Sequence, residues 1–339
     1  MNYIVKDENA IYYECGYSSD NALFLKLGSE AFFITDSRYA IEAQELVQNA
    51  TVIIDGDLYK QANELIKKSQ IKKLTFDPKE WSLFHFSLLT NSLKVKFKKV
   101  PDFSHRKRVV KSSEEILLLK EAVKLGAKAF DTFADTIKEH GFKKDEHFLT
   151  FMAKCTFASG GKYDLSFDPI VAVDENASKP HALPTSKKIK KNNLLLVDAG
   201  LKYQRYCSDR TRTVSADRDF EFKYEQKFKS KKIQKAYDLV LKAHDNAISK
   251  ACSGMKAKKI DALTRDIITK GGMGEYYIHS TGHGVGLDIH EMPYISGRSD
   301  MKVEDSMVYT IEPGIYIPNE FGIRIEDMVV MKDGRVEVL

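Results

Sequence analysis

The sequence predicts an α+β protein of two domains: an α/β unit over residues 1–105, and a larger domain of helix-backed antiparallel sheet over 112–339. Three observations carry that expectation. Short apolar runs alternate with helix-spaced ones through the first hundred residues. A polar, basic stretch from Pro101 to Lys111 reads as a linker. Beyond it one order of elements occurs twice, over 112–215 and over 230–332: long helix, short helix, sheet. Two such halves suggest a pseudo-symmetric domain, and a site between them would draw residues from both. At 339 residues the chain has room for two domains and a substantial core.

In the first unit, residues 22–27 and 31–35 read as strands joined at Gly28-Ser29-Glu30, a hairpin signal. Residues 40–47 have helical spacing, 51–54 form a strand, and Leu58, Ala62, Leu65 and Ile66 line one face of the next helix. A strand at 74–76 stops at Asp77-Pro78. Nothing in this unit clusters carboxylates, histidines or thiols, so packing or oligomerisation is its expected task. After the linker, Ser112 and Glu115 have capping-box spacing at the head of a long helix. Ile116, Leu119, Val123, Phe130, Phe133 and Ile137 stripe it, and Gly141 ends it. A second helix covers 145–158, followed by strand-like runs at 170–173, 194–197 and 207–214. Then Ile233, Tyr237, Val240, His244 and Ile248 stripe another long helix, Ile260, Leu263 and Ile267 a shorter one, and runs at 307–311 and 323–331 read as sheet.

Composition excludes several classes. An apolar fraction of 43% with 30% charged residues is that of a water-soluble globular protein. Net charge is only +5, from 53 basic and 48 acidic residues, and the basic runs at 94–99, 106–111, 187–191 and 223–235 are scattered. They read as solvated faces, not a nucleic-acid footprint. The N-terminus has no apolar signal core, and no run nears the roughly 18 residues of a membrane helix. Cys15, Cys155, Cys207 and Cys252 are far apart and lack metal spacing, which suits a reducing cytoplasm.

Ionisable groups concentrate where the pattern reads as buried sheet. Asn193-Leu194-Leu195-Leu196-Val197-Asp198 ends a strand on an aspartate, and Asp209 follows eleven residues later; a turn near Tyr203 lets the two pair as a hairpin. In the second half Glu312 and Glu326 sit in apolar runs, Arg324 shares a sheet face with Glu326, and His283 lies between glycines. Each has an ordinary reading alone: a cap for Asp198, an ion pair with Arg210 or Arg212 for Asp209, a turn for Glu312, a loop for His283. Together, four carboxylates and one imidazole call for about two divalent cations to balance them. The oxygen-rich set with one imidazole suits Mn, Co, Fe or Zn better than a thiolate-bound metal. Two such ions close together form a hydrolytic design that supplies a nucleophile near neutral pH.

Six segments, in order, resemble those of the pita-bread metallopeptidases, in the aminopeptidase P and Xaa-Pro dipeptidase (prolidase) branch. They are Asp198-Ala199-Gly200, Ser208-Asp209-Arg210-Thr211-Arg212-Thr213, His279-Ser280-Thr281-Gly282-His283-Gly284, His290-Glu291-Met292-Pro293, Ile311-Glu312-Pro313-Gly314 and Gly322-Ile323-Arg324-Ile325-Glu326-Asp327. The first hundred residues, with Asp36-Ser37-Arg38-Tyr39, resemble a creatinase-type N-terminal domain, which methionine aminopeptidases usually lack. The resemblance implies a metal set of Asp198, Asp209, His283, Glu312 and Glu326. In it Asp198 chelates one ion, His283 binds the other, Asp209 and Glu326 bridge them, and Glu312 completes the second site and accepts the proton of the attacking water. It makes His290 and His279 catalytic, as donors to the oxyanion, and puts His181, His279, His290 and Arg324 against the substrate. Tyr316 lies near the site by motif position. The implied substrates are peptides with proline at position two, whose tertiary amide has no N–H. The activity expected first is Xaa-Pro aminopeptidase, with Xaa-Pro dipeptidase and a non-catalytic pita-bread binding protein as alternatives. A homodimer is implied, without nucleic-acid or membrane partners.

Overall fold

In the computed structural model, which describes residues 1–217 and 219–339, the chain divides into two units, Met1–Arg108 and Val109–Leu339. The first holds strands β1 (Tyr3–Val5), β2 (Ala22–Leu27), β3 (Glu30–Thr35), β4 (Thr51–Ile54), β5 (Lys73–Phe76) and β6 (Lys96–Lys99). Its helices are α1 (Glu8–Cys15), α2 (Ala40–Leu46), α3 (Leu58–Ser69), α4 (Leu83–Thr90) and α5 (Phe103–Arg108). The sheet order is β4-β3-β2-β1-β5-β6, with the expected β2–β3 hairpin closed by Leu27 opposite Glu30. Alternation builds the layers. Leu23 and Leu25 face one core with Leu58, Ala62 and Ile66 of α3, while Phe24 and Phe33 face the other with Ala10, Ile11 and Ala43 of α1 and α2.

The stretch expected as a linker is partly a helix. Phe103, Ser104 and Arg108 of α5 are buried, and Asp77 Oδ2 accepts the Phe103 N–H at 2.9 Å. Lys107 lies 4.6 Å from the centre of the Tyr3 ring and pairs with Glu14, and Lys111 forms a buried ion pair with Glu291. These basic residues find aromatic and acidic partners far along the chain, which local composition does not register.

The second unit opens with α6 (Ser113–Thr136), capped by both bonds of the predicted box: Glu115 N–H to Ser112 Oγ at 3.2 Å and Ser112 N–H to Glu115 Oε2 at 2.8 Å. Then follow α7 (Glu146–Ala158), β7 (Ile170–Val173), β8 (Asn193–Ala199), β9 (Lys202–Tyr203), β10 (Tyr206–Cys207) and β11 (Arg210–Ala216). The second pass is α8 (Lys231–Lys250), α9 (Ala257–Lys270), β12 (Gly282–Gly284), β13 (Glu291–Ile295), β14 (Val308–Ile311), β15 (Gly314–Ile317), β16 (Phe321–Arg324), β17 (Asp327–Lys332) and β18 (Arg335–Val338). Helix, helix, sheet thus occurs twice, as expected.

The three-stranded sheet β11-β8-β7 is antiparallel. Leu195, Val197 and Ala199 of β8 pack with Phe130, Phe133 and Phe157 from α6 and α7. Leu194 and Leu196 face the opposite way, into a core shared with Tyr237 and Val240 of α8 and with Ile315 and Ile323. The same period carries Asp198 to this inner side, towards the second half. The second half contributes the sheet β13-β12-β14-β17-β18 and the pair β15-β16.

Candidate metal and substrate site

The expected metal ligands sit in or beside strand ends, while His181 and His279 lie on loops. Thr211 stands opposite Asp198 in the β8–β11 register, so Asp209, two residues before Thr211, shares its face. The run read as one strand over 207–214 breaks at Ser208-Asp209, and the run over 323–331 breaks at Ile325-Glu326. Each break frees a carboxylate from the ladder. His283 is carried by β12, whose two glycines lie against neighbouring backbone. A Cβ on Gly282 would come within 1.9 Å of Thr310 O, and one on Gly284 within 2.2 Å of Met292 O. Side chains there would push β12 away and take His283 with it.

A cavity of about 780 Å³ opens over these groups. His181, Asp198, Asp209, His279, His283, His290, Glu312, Arg324 and Glu326, all nine residues expected from the sequence, line it. Ligand atoms of Asp209, His283 and Glu326 lie within 4.8 Å of one another. His283 Nε2 is 3.7 Å from Asp209 Oδ2 and 3.4 Å from Glu312 Oε1. Asp198 stands apart from that trio in its bonding: its Oδ2 accepts from Arg324 Nη2 at 2.6 Å.

The donor set fits divalent cations. Asp198 Oδ1 is buried with no partner. His283 Nδ1 lies 3.1 Å from Gly284 O and donates to it, so Nε2 presents a lone pair to two carboxylates, an arrangement of acceptors that needs a cation between them. Burial pushes the Asp209 carboxyl well up, and Glu326, Asp198 and Glu312 add to the rise. Burial likewise raises Glu326, with Glu312 and Asp198 adding to it, and burial raises Glu312. Burial pulls His279, His283 and His290 down, so all three imidazoles are neutral near pH 7.

Sequence reasoning missed the groups that aim these ligands, apart from Tyr316, which it placed near the site without a role. Thr211 Oγ1 donates to Glu326 Oε2 at 2.6 Å and accepts from Arg324 Nε at 2.9 Å. Thr310 Oγ1 donates to Glu312 Oε1 at 3.2 Å and accepts the His283 N–H at 3.1 Å. Tyr316 Oη accepts from Arg324 Nη1 at 2.7 Å and lies 2.9 Å from His279 Nε2. With His279 Nδ1 on Ser280 O at 2.8 Å, both ring nitrogens of His279 are engaged within the fold. His290 is exposed in the cavity wall, its ring centre 4.3 Å from that of His283. His181 rides a loop held by Glu146, which is fully buried and accepts from Val173 N at 2.7 Å, Asn176 Nδ2 at 2.8 Å and Thr185 N at 2.7 Å. Asp261 and Arg265 do the same for the His279 segment: Arg265 Nη2 donates to His279 O at 2.8 Å and Asp261 Oδ1 accepts from Thr281 Oγ1 at 2.8 Å. The acidic partner of Arg212 is Asp327, at 2.7 Å. A recurring clue was available: a Thr or Asp stands one or two residues from Asp209, His283, Glu312 and Glu326, though not from Asp198.

Carboxylates and an imidazole converging from two sheet halves, beneath a cavity, define a metal-dependent hydrolase. The profile of metallopeptidase family M24 matches residues 118–333, and that of the creatinase/prolidase N-terminal domain matches residues 2–110. An uncharacterized peptidase of Bacillus subtilis (strain 168), YqhT, is 32% identical over 344 residues, which cover 97% of this chain and 90% of that protein. The Xaa-Pro dipeptidase of Pyrococcus furiosus is 36% identical over 237 residues, covering 70% of this chain and 64% of its own length. Among solved structures, an Xaa-Pro dipeptidase from Bacillus anthracis superposes with a TM-score of 0.90 at 30% identity, covering 99% of this chain and 92% of that one. The X-Pro aminopeptidase of Thermotoga maritima MSB8 does so at 0.88 and 29%, covering 99% and 94%. The chain belongs to metallopeptidase family M24, with a creatinase-type N-terminal domain followed in sequence by a pita-bread catalytic domain. It is a hydrolase of a family that depends on two metal ions.

Proposed function

We propose that the protein is an Xaa-Pro dipeptidase that splits dipeptides with proline at position two, using Mn first among the candidate ions. The dipeptidase takes precedence over the aminopeptidase expected from the sequence, because the Pyrococcus and Bacillus anthracis relatives are named as Xaa-Pro dipeptidases. The aminopeptidase stands as the second reading, favoured by the Thermotoga structure. The observation that carries the peptidase reading is the cavity over the ligand cluster, walled by Phe167, Pro169, Ile170, Leu183 and Tyr294 around the charged floor. An apolar wall suits a proline ring.

When bound, two divalent ions held by Asp198, Asp209, His283, Glu312 and Glu326 supply a polarised carbonyl and a hydrolytic nucleophile at neutral pH. The chain's own groups do the rest. Glu312 takes the water proton and passes it to the proline nitrogen, which has no proton of its own. His290 donates to the developing oxyanion. His279, with both nitrogens engaged, holds Tyr316 and Arg324 in place against Asp198. His181 closes the substrate side. Lys154 also lines the cavity; its partner, Asp168, lies 2.7 Å away and is 84% exposed, a pair that water and substrate readily exchange. We assign Lys154 to the dipeptide's carboxylate. Four free cysteines accord with a reducing cytoplasm, and a homodimer completes the reading.

The test is hydrolysis of Ala-Pro, Ala-Pro-Ala and Met-Gly-Met by the Mn-loaded protein. Cleavage of Ala-Pro alone supports the dipeptidase, and Lys154→Met then raises KM for Ala-Pro about tenfold while kcat holds. Rapid cleavage of Ala-Pro-Ala favours the aminopeptidase. Activity confined to Met-Gly-Met sinks both, and light scattering reads the dimer.

A further inference from the structure

Behind the ligand cluster lies a buried charged group that the proposed reaction does not use. Arg212 and His244 side chains are each 1% exposed and that of Asp327 is 9%. Arg212 Nη2 donates to Asp327 Oδ1 at 2.7 Å. Arg212 Nη1 donates to two carbonyls, Thr211 O at 2.9 Å and Glu326 O at 2.6 Å. The guanidinium lies 4.5 Å over the centre of the Tyr224 ring, and Tyr224 Oη donates to Asp327 Oδ2 at 2.6 Å. His244 Nε2 approaches the same oxygen at 3.0 Å. Removing such a set from water is costly unless every charge is matched, and here the matching partners come from β11, α8, β17 and the segment before α8.

Its place in the chain gives the group a task. Glu326 belongs to neither β16 nor β17, so no ladder fixes its backbone N–H and C=O. Instead its N–H donates to Thr211 O at 3.1 Å and its C=O accepts from Arg212. Both backbone polar groups of Glu326 are therefore held by consecutive residues of β11. Asp209 lies two residues before Thr211 on the same stretch. The distance between Asp209, from the first half of the fold, and Glu326, from the second, is set through this junction. Thr211 supplies backbone and hydroxyl contacts; Arg212 is the charged side chain that ties the junction to β17. A lysine carries the charge without the planar fork that reaches two carbonyls and a carboxylate together.

We propose that Arg212, gripped by Asp327, is a positioning residue that sets the spacing of Asp209 and Glu326 and so the affinity of the paired metal ions. The inference rests on the reading of Asp209 and Glu326 as ligands shared by both ions. Tyr224 and His244 steady the grip from the far side of Asp327. Arg212, Tyr224, His244 and Asp327 do not line the cavity over the ligands.

Titration of the metal-free full-length protein with MnCl₂ in a calorimeter tests it, alongside melting temperatures. Wild type takes up two ions. Arg212→Lys weakens uptake about tenfold or more, the usual scale for groups that orient ligands. Tyr224→Phe, which deletes one donor to Asp327, weakens it about threefold and serves where Arg212→Lys fails to fold. Val303→Ala, a buried change in a core that includes none of Arg212, Tyr224, His244 and Asp327, lowers the melting temperature and leaves Mn affinity as it was. Unaltered affinity in Arg212→Lys and Tyr224→Phe overturns the inference, as does an equal loss in Val303→Ala. Fewer than two ions in wild type would instead overturn the shared-ligand reading beneath it, a result seen before any variant is made.

Discussion

Two threonine hydroxyls decide how the glutamates of the site point. A hydroxyl has one proton, so its single donation fixes a direction. Thr211 spends its proton on Glu326 and Thr310 spends its own on Glu312, while each accepts from a group that is itself held. The pairing repeats across the two halves, one hydroxyl per glutamate. Valine has the same shape without the proton. Thr211→Val would leave Glu326 Oε2 and Arg324 Nε unmatched in a buried place, which costs about 1–3 kcal/mol. The expected outcome is a lower melting temperature together with a loss in kcat/KM of at least about tenfold, because Glu326 then turns freely. A variant that loses stability but keeps full kcat/KM would remove Thr211 from the alignment of the site. The threonines stand beside ligands in the sequence, but their bonds are not legible there: threonine reads as an ordinary strand former, and a hydrogen bond across 115 positions leaves no local signal.

At the scale of elements, the site is made of interruptions. Periodicity found α6, α7, α8 and α9 and the runs that hold β7, β8, β11, β14 and β17, because period 2 and period 3.6 are what burial on one face demands, but it named no strand at β9, β12, β13, β15 or β18. It read 207–214 and 323–331 as continuous, and the structure breaks both at a carboxylate. Apolar flanks look the same whether or not the residue between them keeps its ladder bonds, so the break could not be read. The His181 loop was recognised by motif, yet its support came from the start of a helix read only as a helix. Glu146, the first residue of α7, receives Val173 N, Asn176 Nδ2 and both Thr185 donors. Replacing it with glutamine keeps the shape and puts an amide donor where donors already converge. Glu146→Gln should cost about 2–4 kcal/mol in urea unfolding. It should also raise KM several-fold by loosening the His181 loop, with Mn affinity unaffected, since no metal ligand lies on that loop. A KM equal to wild type would mean that His181 is positioned by something other than Glu146.

Across the whole molecule, the twofold order of elements was legible and it located the site, because a cluster fed from both halves has to lie between their inner faces. Asp198 and Asp209 come from one pass of helix, helix, sheet, and His283, Glu312 and Glu326 from the other. What this design does to stability follows from the carboxyls. Burial and mutual repulsion raise Asp209 and Glu326 well above their ordinary range, and burial raises Glu312. A carboxyl raised in the folded state binds its proton more tightly there than in the unfolded chain. Its stabilising share is therefore complete below the unfolded pKa, near 4, and is lost as pH rises through the folded value. Metal-free protein should thus lose stability on going from pH 5 to pH 8. Divalent ions act oppositely, since they bind the deprotonated ligands and compete with protons, and at about a hundredfold excess over Kd one ion adds about 2.7 kcal/mol. The gap in melting temperature between Mn-loaded and EDTA-treated protein should widen steadily from pH 5 to pH 8. A gap that stays constant or narrows over that range would mean that the three carboxyls are not the groups the metal displaces protons from, and that the charge at the centre of the fold is balanced in another way.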